Sequence, residues 1–199
     1  MKTVLIATNN PGKIAEISAI LAPLPLKLIT PAELGLTLSI PEDGQCYFEN
    51  AHKKAAAFAQ VSELPTLADD SGLEVEVLGG APGVHSHRYL ADPSATDEQR
   101  CQALLNQLSA YPRPWKAAFQ CEIVLCNANE IVLRSHGSCP GEIIPEFRGK
   151  NGFGFDPIFL VEGKQRTMAE LTDEQKNRIS HRAKALQAAW NDLLRFAAS

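Results

Sequence analysis

The sequence predicts an α/β fold built on a mixed sheet, and three observations carry that prediction. The chain opens as strand, short loop, helix, strand, the pattern that starts a layered α/β domain. Stretches with helical period then alternate with short, β-prone apolar runs. Two β-rich runs, 118–126 and 131–138, are separated only by Asn127-Ala128-Asn129-Glu130, which reads as a hairpin and adds antiparallel pairing.

Residues 3–7 are apolar and β-prone, as in a buried strand. Asn10-Pro11-Gly12 then supplies a helix start, with Asn as cap and Pro in the first turn. Ile14, Ile17 and Leu21 follow at helical spacing, Pro23 ends the segment, and 26–29 form a second strand. Residues 32–45 are turn-rich. The next segment, 47–61, predicts an amphipathic helix, with Phe48, Ala51, Ala55 and Phe58 as its buried stripe and Glu49, Lys53 and Lys54 elsewhere. Thr66-Leu67-Ala68 runs into Asp69-Asp70-Ser71-Gly72, read as a strand end beside a glycine turn, and strand character resumes over 73–78. Gly79-Gly80-Ala81-Pro82-Gly83 is a loop. Residues 96–108 predict a helix with Asp97 and Glu98 favourably placed in its first turn. The glycine-rich loop 151–157 feeds the apolar run 158–161. One last helix is expected over 181–196, with Leu186, Trp190, Leu193 and Ala197 on one face. No repeat or long linker interrupts the chain, so residues 1–199 are read as one domain.

At 199 residues and 45% hydrophobic, the chain can bury a substantial core. Its net charge of -4 argues against a nucleic-acid polymer as partner, but leaves a small anionic ligand open. The five cysteines are odd in number and include no CxxC pair, which argues for reduced thiols and a cytoplasmic protein. Cys121 and Cys126 are expected on opposite strand faces. The first apolar run is too short for a signal peptide, and no segment is long enough to span a membrane.

Several local patterns could carry chemistry. Thr8-Asn9-Asn10-Pro11-Gly12-Lys13 joins a strand to a helix, where free N–H groups and a lysine make a phosphate cradle. The same residues would also make an ordinary capped turn, and the spacing is not that of a Walker A loop. Asp69 and Asp70 are adjacent carboxylates, costly unless paired with cations or a metal, and alternate strand faces give them different roles. Glu42 can add an oxygen ligand for Mg²⁺, which takes few carboxylates alongside waters and phosphate oxygens. Lys54 shares a helix face with Asn50. Lys176, His181 and Arg182 put positive charge where the last helix is expected to begin, against the macrodipole. Phe153-Gly154-Phe155-Asp156 offers aromatics that either stack on a base or fill the core. Arg88 is a candidate phosphate clamp.

Taken in order, these blocks are far more specific. Thr8-Asn9-Asn10-x-x-Lys13, Phe48-Glu49-Asn50-Ala51-x-x-Lys54-Ala55, Ala68-Asp69-Asp70-Ser71-Gly72-Leu73 and Gly79-Gly80-Ala81-Pro82-Gly83-Val84 come first. Gly152-Phe153-Gly154-Phe155-Asp156-Pro157-Ile158-Phe159, Ala169-Glu170-Leu171 and Ile179-Ser180-His181-Arg182 complete the series. The series resembles the non-canonical purine nucleoside triphosphate pyrophosphatases, the inosine/xanthosine triphosphate pyrophosphatase family, from residue 2 to about 194.

That resemblance implies an elongated mixed α/β fold with two lobes around a central cleft, usually a homodimer. It implies Mg²⁺-dependent hydrolysis of ITP, dITP and XTP to the monophosphate and pyrophosphate. Carried over by motif, Thr8, Asn9, Asn10 and Lys13 would hold phosphates together with Lys54. Asp70 would be general base and metal ligand, with Glu42 as metal partner and Asp69 in support, while Ser71 would touch substrate. Phe153, Gly154, Phe155 and Asp156 would form the base pocket, completed by Lys176, His181 and Arg182. Cys139, His87 and the stretches 33–41 and 107–116 depart from the family pattern. The rival readings are a pyrophosphatase for other triphosphates and a non-catalytic nucleotide-binding protein.

Overall fold

In the computed structural model, which describes residues 1–128 and 130–199, six strands form one mixed sheet in the order β2-β1-β3-β4-β5-β6. They are β1 (Lys2–Ile6), β2 (Leu26–Ile29), β3 (Thr66–Val75), β4 (Trp115–Asn127), β5 (Glu130–Ile143) and β6 (Phe159–Val161). The helices are α1 (Pro11–Leu21), α2 (Tyr47–Ser62), α3 (Asp97–Leu108), α4 (Asp173–Ile179), α5 (His181–Ala188) and α6 (Trp190–Ala198). Strand β1 pairs in parallel with β2, Lys2 opposite Leu26, and with β3, Leu5 opposite Thr66. Strand β6 pairs antiparallel with β5, Ile143 opposite Phe159. Strands β4 and β5 are neighbours joined by two residues, which only an antiparallel pair can be. In the expected hairpin turn, Asn129 lies outside the described residues.

The chain divides into two compact units. Unit 1 comprises Met1–Asp70, Cys121–Gly137 and His181–Ser199, and unit 2 comprises Ser71–Gln120 and Ser138–Ser180. In unit 1 the sheet is covered on both faces. Cys121, Ile123 and Leu125 of β4 pack with Ile17 and Leu21 of α1 and with Leu186 and Leu193 near the C-terminus. Val124 and Cys126, on the other face, pack with Ala51, Ala55 and Phe58 of α2. This double cover is why 123–126 reads as an unbroken apolar run, and Cys121 and Cys126 lie on opposite faces as expected. In unit 2, Trp115, Ala117 and Phe119 of β4 alternate with less buried neighbours and face the leucines of α3.

Three expectations need correction. Asp69-Asp70-Ser71-Gly72 is no turn, because β3 runs straight through it. Gly72 is there for close approach. A Cβ on it would meet the Gly83 carbonyl at 2.2 Å, and Leu73 N–H donates to Ser86 Oγ at 2.8 Å beside it. The last helix is two, α5 and α6, interrupted at Ala189. The third concerns α4, an unexpected helix that starts on a capping box in which Thr172 and Gln175 satisfy each other's backbone N–H groups. Lys176 therefore lies in the last turn of α4, where its charge suits the macrodipole, and not at the start of the final helix. Among the described residues, no helix is long and apolar enough to cross a membrane.

Candidate functional site

In unit 1 the candidate side chains are delivered by the β1–α1 loop, by α2 and the loop before it, by β3, and by α5. Asn10 caps α1, its Oδ1 accepting from Lys13 N–H at 3.1 Å, and Pro11 occupies the first turn. Thr8 Oγ1 accepts from Asn10 N–H at 3.2 Å, so the loop is ordered by its own hydroxyl and amide, while Asn9 is exposed. Lys13 does not reach for solvent. Its Nζ lies 3.0 Å from Asp69 Oδ2.

Strand alternation separates the two aspartates as expected. Asp69 is buried and receives Arg182 Nη2 at 2.7 Å and Nε at 3.2 Å on the oxygen that Lys13 also meets. Burial alone would push its carboxyl up, but Lys13, Arg182 and Lys54 outweigh it and hold Asp69 ionised, far below the usual carboxylate range. Its second oxygen, Oδ1, is buried without a hydrogen-bond partner among the described residues. Arg182 is itself fully buried and also donates to Glu16 on α1, so one guanidinium joins two carboxylates from distant parts of the chain.

Asp70 behaves differently. It is 6% exposed and accepts from Asn50 Nδ2 at 3.0 Å, with Lys54 Nζ at 3.6 Å. Burial raises its carboxyl above the ordinary value, with Glu42 adding to this and Lys54 and Lys13 opposing it. Lys54 Nζ also bonds Glu42 Oε1 at 2.6 Å, so carboxylates from two separate segments converge on one ammonium. Burial works against that charge, but Asp70, Asp69 and Glu42 together keep Lys54 firmly protonated. Lys53, one position earlier, pairs with Asp43 at the surface. Contrary to the sequence expectation, Lys54 lies on the buried stripe of α2, together with Asn50.

Asn50 and Glu16 also join this network; the sequence reading placed Asn50 beside Lys54 without giving it a role and did not single out Glu16. Asn50 is 1% exposed, and its Oδ1 accepts from Gly44 N–H at 2.8 Å while its amide donates to Asp70. It thereby ties the loop carrying Glu42 to the neighbouring strand. Gly44 permits the contact, since a Cβ there would stand 2.6 Å from Asn50 Oδ1. A polar residue on an otherwise apolar helical stripe was the available signal. For Glu16 there was none, because its partner Arg182 is remote in sequence.

In unit 2, Phe153-Gly154-Phe155-Asp156 forms a tight turn. Asp156 Oδ2 accepts from Phe153 N–H at 3.0 Å and from Lys176 Nζ at 2.6 Å, with both side chains buried. Lys176 Nζ lies 4.5 Å from the centre of the Phe153 ring. The two phenylalanines part company here. Phe155 belongs to the core, edge-on to Tyr89, whereas Phe153 stays partly exposed. Gly154 N–H donates to Asp97 Oδ2 at 2.6 Å. Lys176 pairs with Asp156 in unit 2, while His181 and Arg182 are buried on α5 in unit 1, with Arg182 turned to Asp69 and Glu16. Ser71 is half-buried in β3, and exposed Arg88 donates to His85 Nδ1 at 3.2 Å.

The sequence profile of the Ham1 family matches residues 4–191. The dITP/XTP pyrophosphatase of Photorhabdus laumondii is 45% identical over 190 residues, 94% of this chain and 95% of that protein. The dITP/XTP pyrophosphatase of Bacillus subtilis is 43% identical over 188 residues, covering 94% of each. Among solved structures, a HAM1 protein from Coxiella burnetii matches with a TM-score of 0.89 at 43% identity, over 98% of this chain and 100% of that one. The Ham1 protein of Staphylococcus aureus matches with a TM-score of 0.84 at 36% identity, over 100% of both chains. With a family profile and relatives spanning nearly its whole length, the chain belongs to the Ham1 family.

Proposed function

We propose that this protein hydrolyses dITP, ITP and XTP to the nucleoside monophosphate and pyrophosphate, with Mg²⁺ as its metal. One observation carries the reading: Glu42 and Asp70, from separate segments, meet at the Lys54 ammonium, next to a buried Asp69 with one carboxylate oxygen unpartnered among the described residues. Relatives at 43–45% identity bear the name dITP/XTP pyrophosphatase, which supports the substrate class.

The donor set suits Mg²⁺. All candidate ligands are carboxylate oxygens, and among the described residues no three His, Cys, Asp or Glu close into a protein cage. Mg²⁺ is commonly held by one or two carboxylates and completes its shell with water and substrate phosphate. Glu42 and Asp70 would hold it. When bound, the ion supplies charge neutralisation at the phosphates and acidifies water.

The remaining chemistry belongs to the chain. Asp70, whose carboxyl is raised by burial, takes the proton of the attacking water as the anhydride between the α- and β-phosphorus opens. Lys13 and Lys54 face the negative charge that collects on the departing pyrophosphate. Asp69 stays ionised and holds Lys13 in place. The partly exposed ring of Phe153 gives a base a surface to stack on, with the donors of Lys176 beside it. A donor at the 6-position favours a keto purine, because the amino group of adenine cannot accept there.

Pyrophosphate release from a panel of ITP, dITP, XTP, ATP, GTP and dTTP, with and without Mg²⁺, tests this reading. Turnover of ATP or dTTP as fast as ITP refutes the purine selectivity, and intact triphosphate in Mg²⁺ favours a binding protein. The homodimer that the family resemblance implies is tested by light scattering, with an expected mass twice that of the 21.6 kDa chain.

A further inference from the structure

The reading of 153–156 as the base-binding loop leaves open what fixes that loop's shape, and α3 answers it. The peptide groups of Gly154 are held at both ends by side chains of this one helix. Its N–H donates to Asp97 Oδ2 at 2.6 Å, and its carbonyl accepts from Cys101 Sγ at 3.4 Å. Asp97 and Cys101 stand four residues apart and so share one helical face. Gly154 has a φ of +63°, a left-handed conformation that a free loop holds poorly against its alternatives. Asp97 is fixed in turn, since Oδ1 pairs with Arg100, whose Nη1 donates to the Ala95 carbonyl at 2.7 Å. Cys101 is fully buried, and burial first, then Asp97 and Asp156, push its thiol up to about 12, so it remains a donor.

We propose that Asp97, seconded by Cys101, is a positioning residue that sets the conformation of the Phe153–Phe155 turn and thereby governs which base is accepted. This rests on the base-loop reading above. Phe153 follows the orientation of the Gly154 peptide directly, while Phe155 on its other side is locked in the core, so the two ties leave the Phe153 ring little freedom. The helix itself does not depend on Asp97, because Thr96 and Gln99 form its capping box. The neutral variants are therefore expected to keep the fold.

The test is the ratio of kcat/KM for ITP to that for GTP, with thermal melting alongside. In Asp97→Ala the ratio falls roughly tenfold, chiefly through KM, as expected when base contacts are displaced. Asp97→Asn keeps an oxygen facing Gly154 N–H and restores most of the ratio. Cys101→Ala lowers the ratio less than Asp97→Ala, and Cys101→Ser retains it. A folded Asp97→Ala with an unchanged ratio, or with kcat reduced equally for both nucleotides, overturns the inference. If Asp97→Ala does not fold, an unchanged ratio in Cys101→Ala does the same. Phe153→Ala separates the two claims. If it alters the ratio while Asp97→Ala does not, only the positioning role fails. If it leaves both ratio and KM untouched, the base-loop reading falls.

Discussion

Replacing Arg182 by Met takes the guanidinium out from between Asp69 and Glu16. Removing one partner of a buried ion pair costs about 3–5 kcal/mol, because the charge left behind has no solvent. Here the lower end applies, since Asp69 keeps Lys13 at 3.0 Å and Glu16, 7% exposed, is the carboxylate that loses the guanidinium. For a chain of this size, a loss of about 3 kcal/mol corresponds to a fall in Tm of about 6–12 °C. Replacing Glu16 by Met as well removes the second carboxylate of the pair, and recovery of part of that loss in the double variant isolates the coupling. Far-UV circular dichroism melts at pH 7 measure all four proteins. The acid side has a defined sign. Asp69 is held below its unfolded value, so its stabilisation is present above about pH 4 and is lost as pH falls through the folded value. With Arg182 gone the folded value rises, so that loss should be smaller and complete at a higher pH. A Tm unchanged by Arg182→Met refutes the reasoning. If Tm holds while the ITP-to-GTP ratio collapses, Arg182 serves the base after all and not the carboxylates.

Asp70→Asn should lower kcat by about 10²–10⁴, the range for loss of a general base, with the fold intact. A carboxyl raised by burial costs stability above its unfolded value, so this variant should also melt higher than wild type at neutral pH in Mg²⁺-free buffer. Full activity, or a lower Tm, contradicts the role given to Asp70. Lys13→Ala should reduce kcat/KM for ITP, and an unaltered value would show that the first loop is not a phosphate site. Asn50→Ala strands Gly44 N–H, for a loss of about 1–3 kcal/mol, and frees the loop carrying Glu42. The concentration of Mg²⁺ needed for half-maximal activity should rise, and a normal Mg²⁺ requirement would dissociate Asn50 from metal binding. Glu42→Gln should raise the same requirement with a smaller effect on kcat at saturating Mg²⁺. Equal activity at limiting Mg²⁺ would remove Glu42 from the ligand set.

Where local signals decide structure, the sequence was easy to read. The capped start of α1 at Asn10-Pro11, the short strands β1 and β2, and the period of α2 all depend on neighbours a few residues away. The errors fall where distant partners decide. Asp69-Asp70-Ser71-Gly72 has the composition of a turn, yet it is the interior of β3, because Lys13 and Arg182 supply the countercharges that let Asp69 be buried in a strand. Arg182 is 113 residues from Asp69. Lys54 and Lys53 look alike in composition, and only the angle around α2 separates a buried cation from a surface one. Helix α4 was legible in principle through Thr172 and Gln175, but its seven residues are too few for a hydrophobic period to show.

The charges of unit 1 give the proposed metal requirement an electrostatic rationale. Glu16, Glu42, Asp69 and Asp70 are bound up with three cations, Lys13, Lys54 and Arg182. Arg182 is wholly enclosed, so its charge is used within the protein, on Glu16 and Asp69. Lys13 and Lys54 keep side-chain exposures of 15% and 11%, and they can turn toward an arriving anion. When they do, Glu42 and Asp70 lose a countercharge that burial makes expensive to forgo. A polyphosphate alone would therefore bring more negative charge to a site already rich in it. A divalent cation arriving with the nucleotide would resolve both problems, because Glu42 and Asp70 would hold it and Lys54 would be left for the phosphates. On that reading Lys54 serves as the countercharge of Glu42 and Asp70 and would turn to the phosphates when substrate binds.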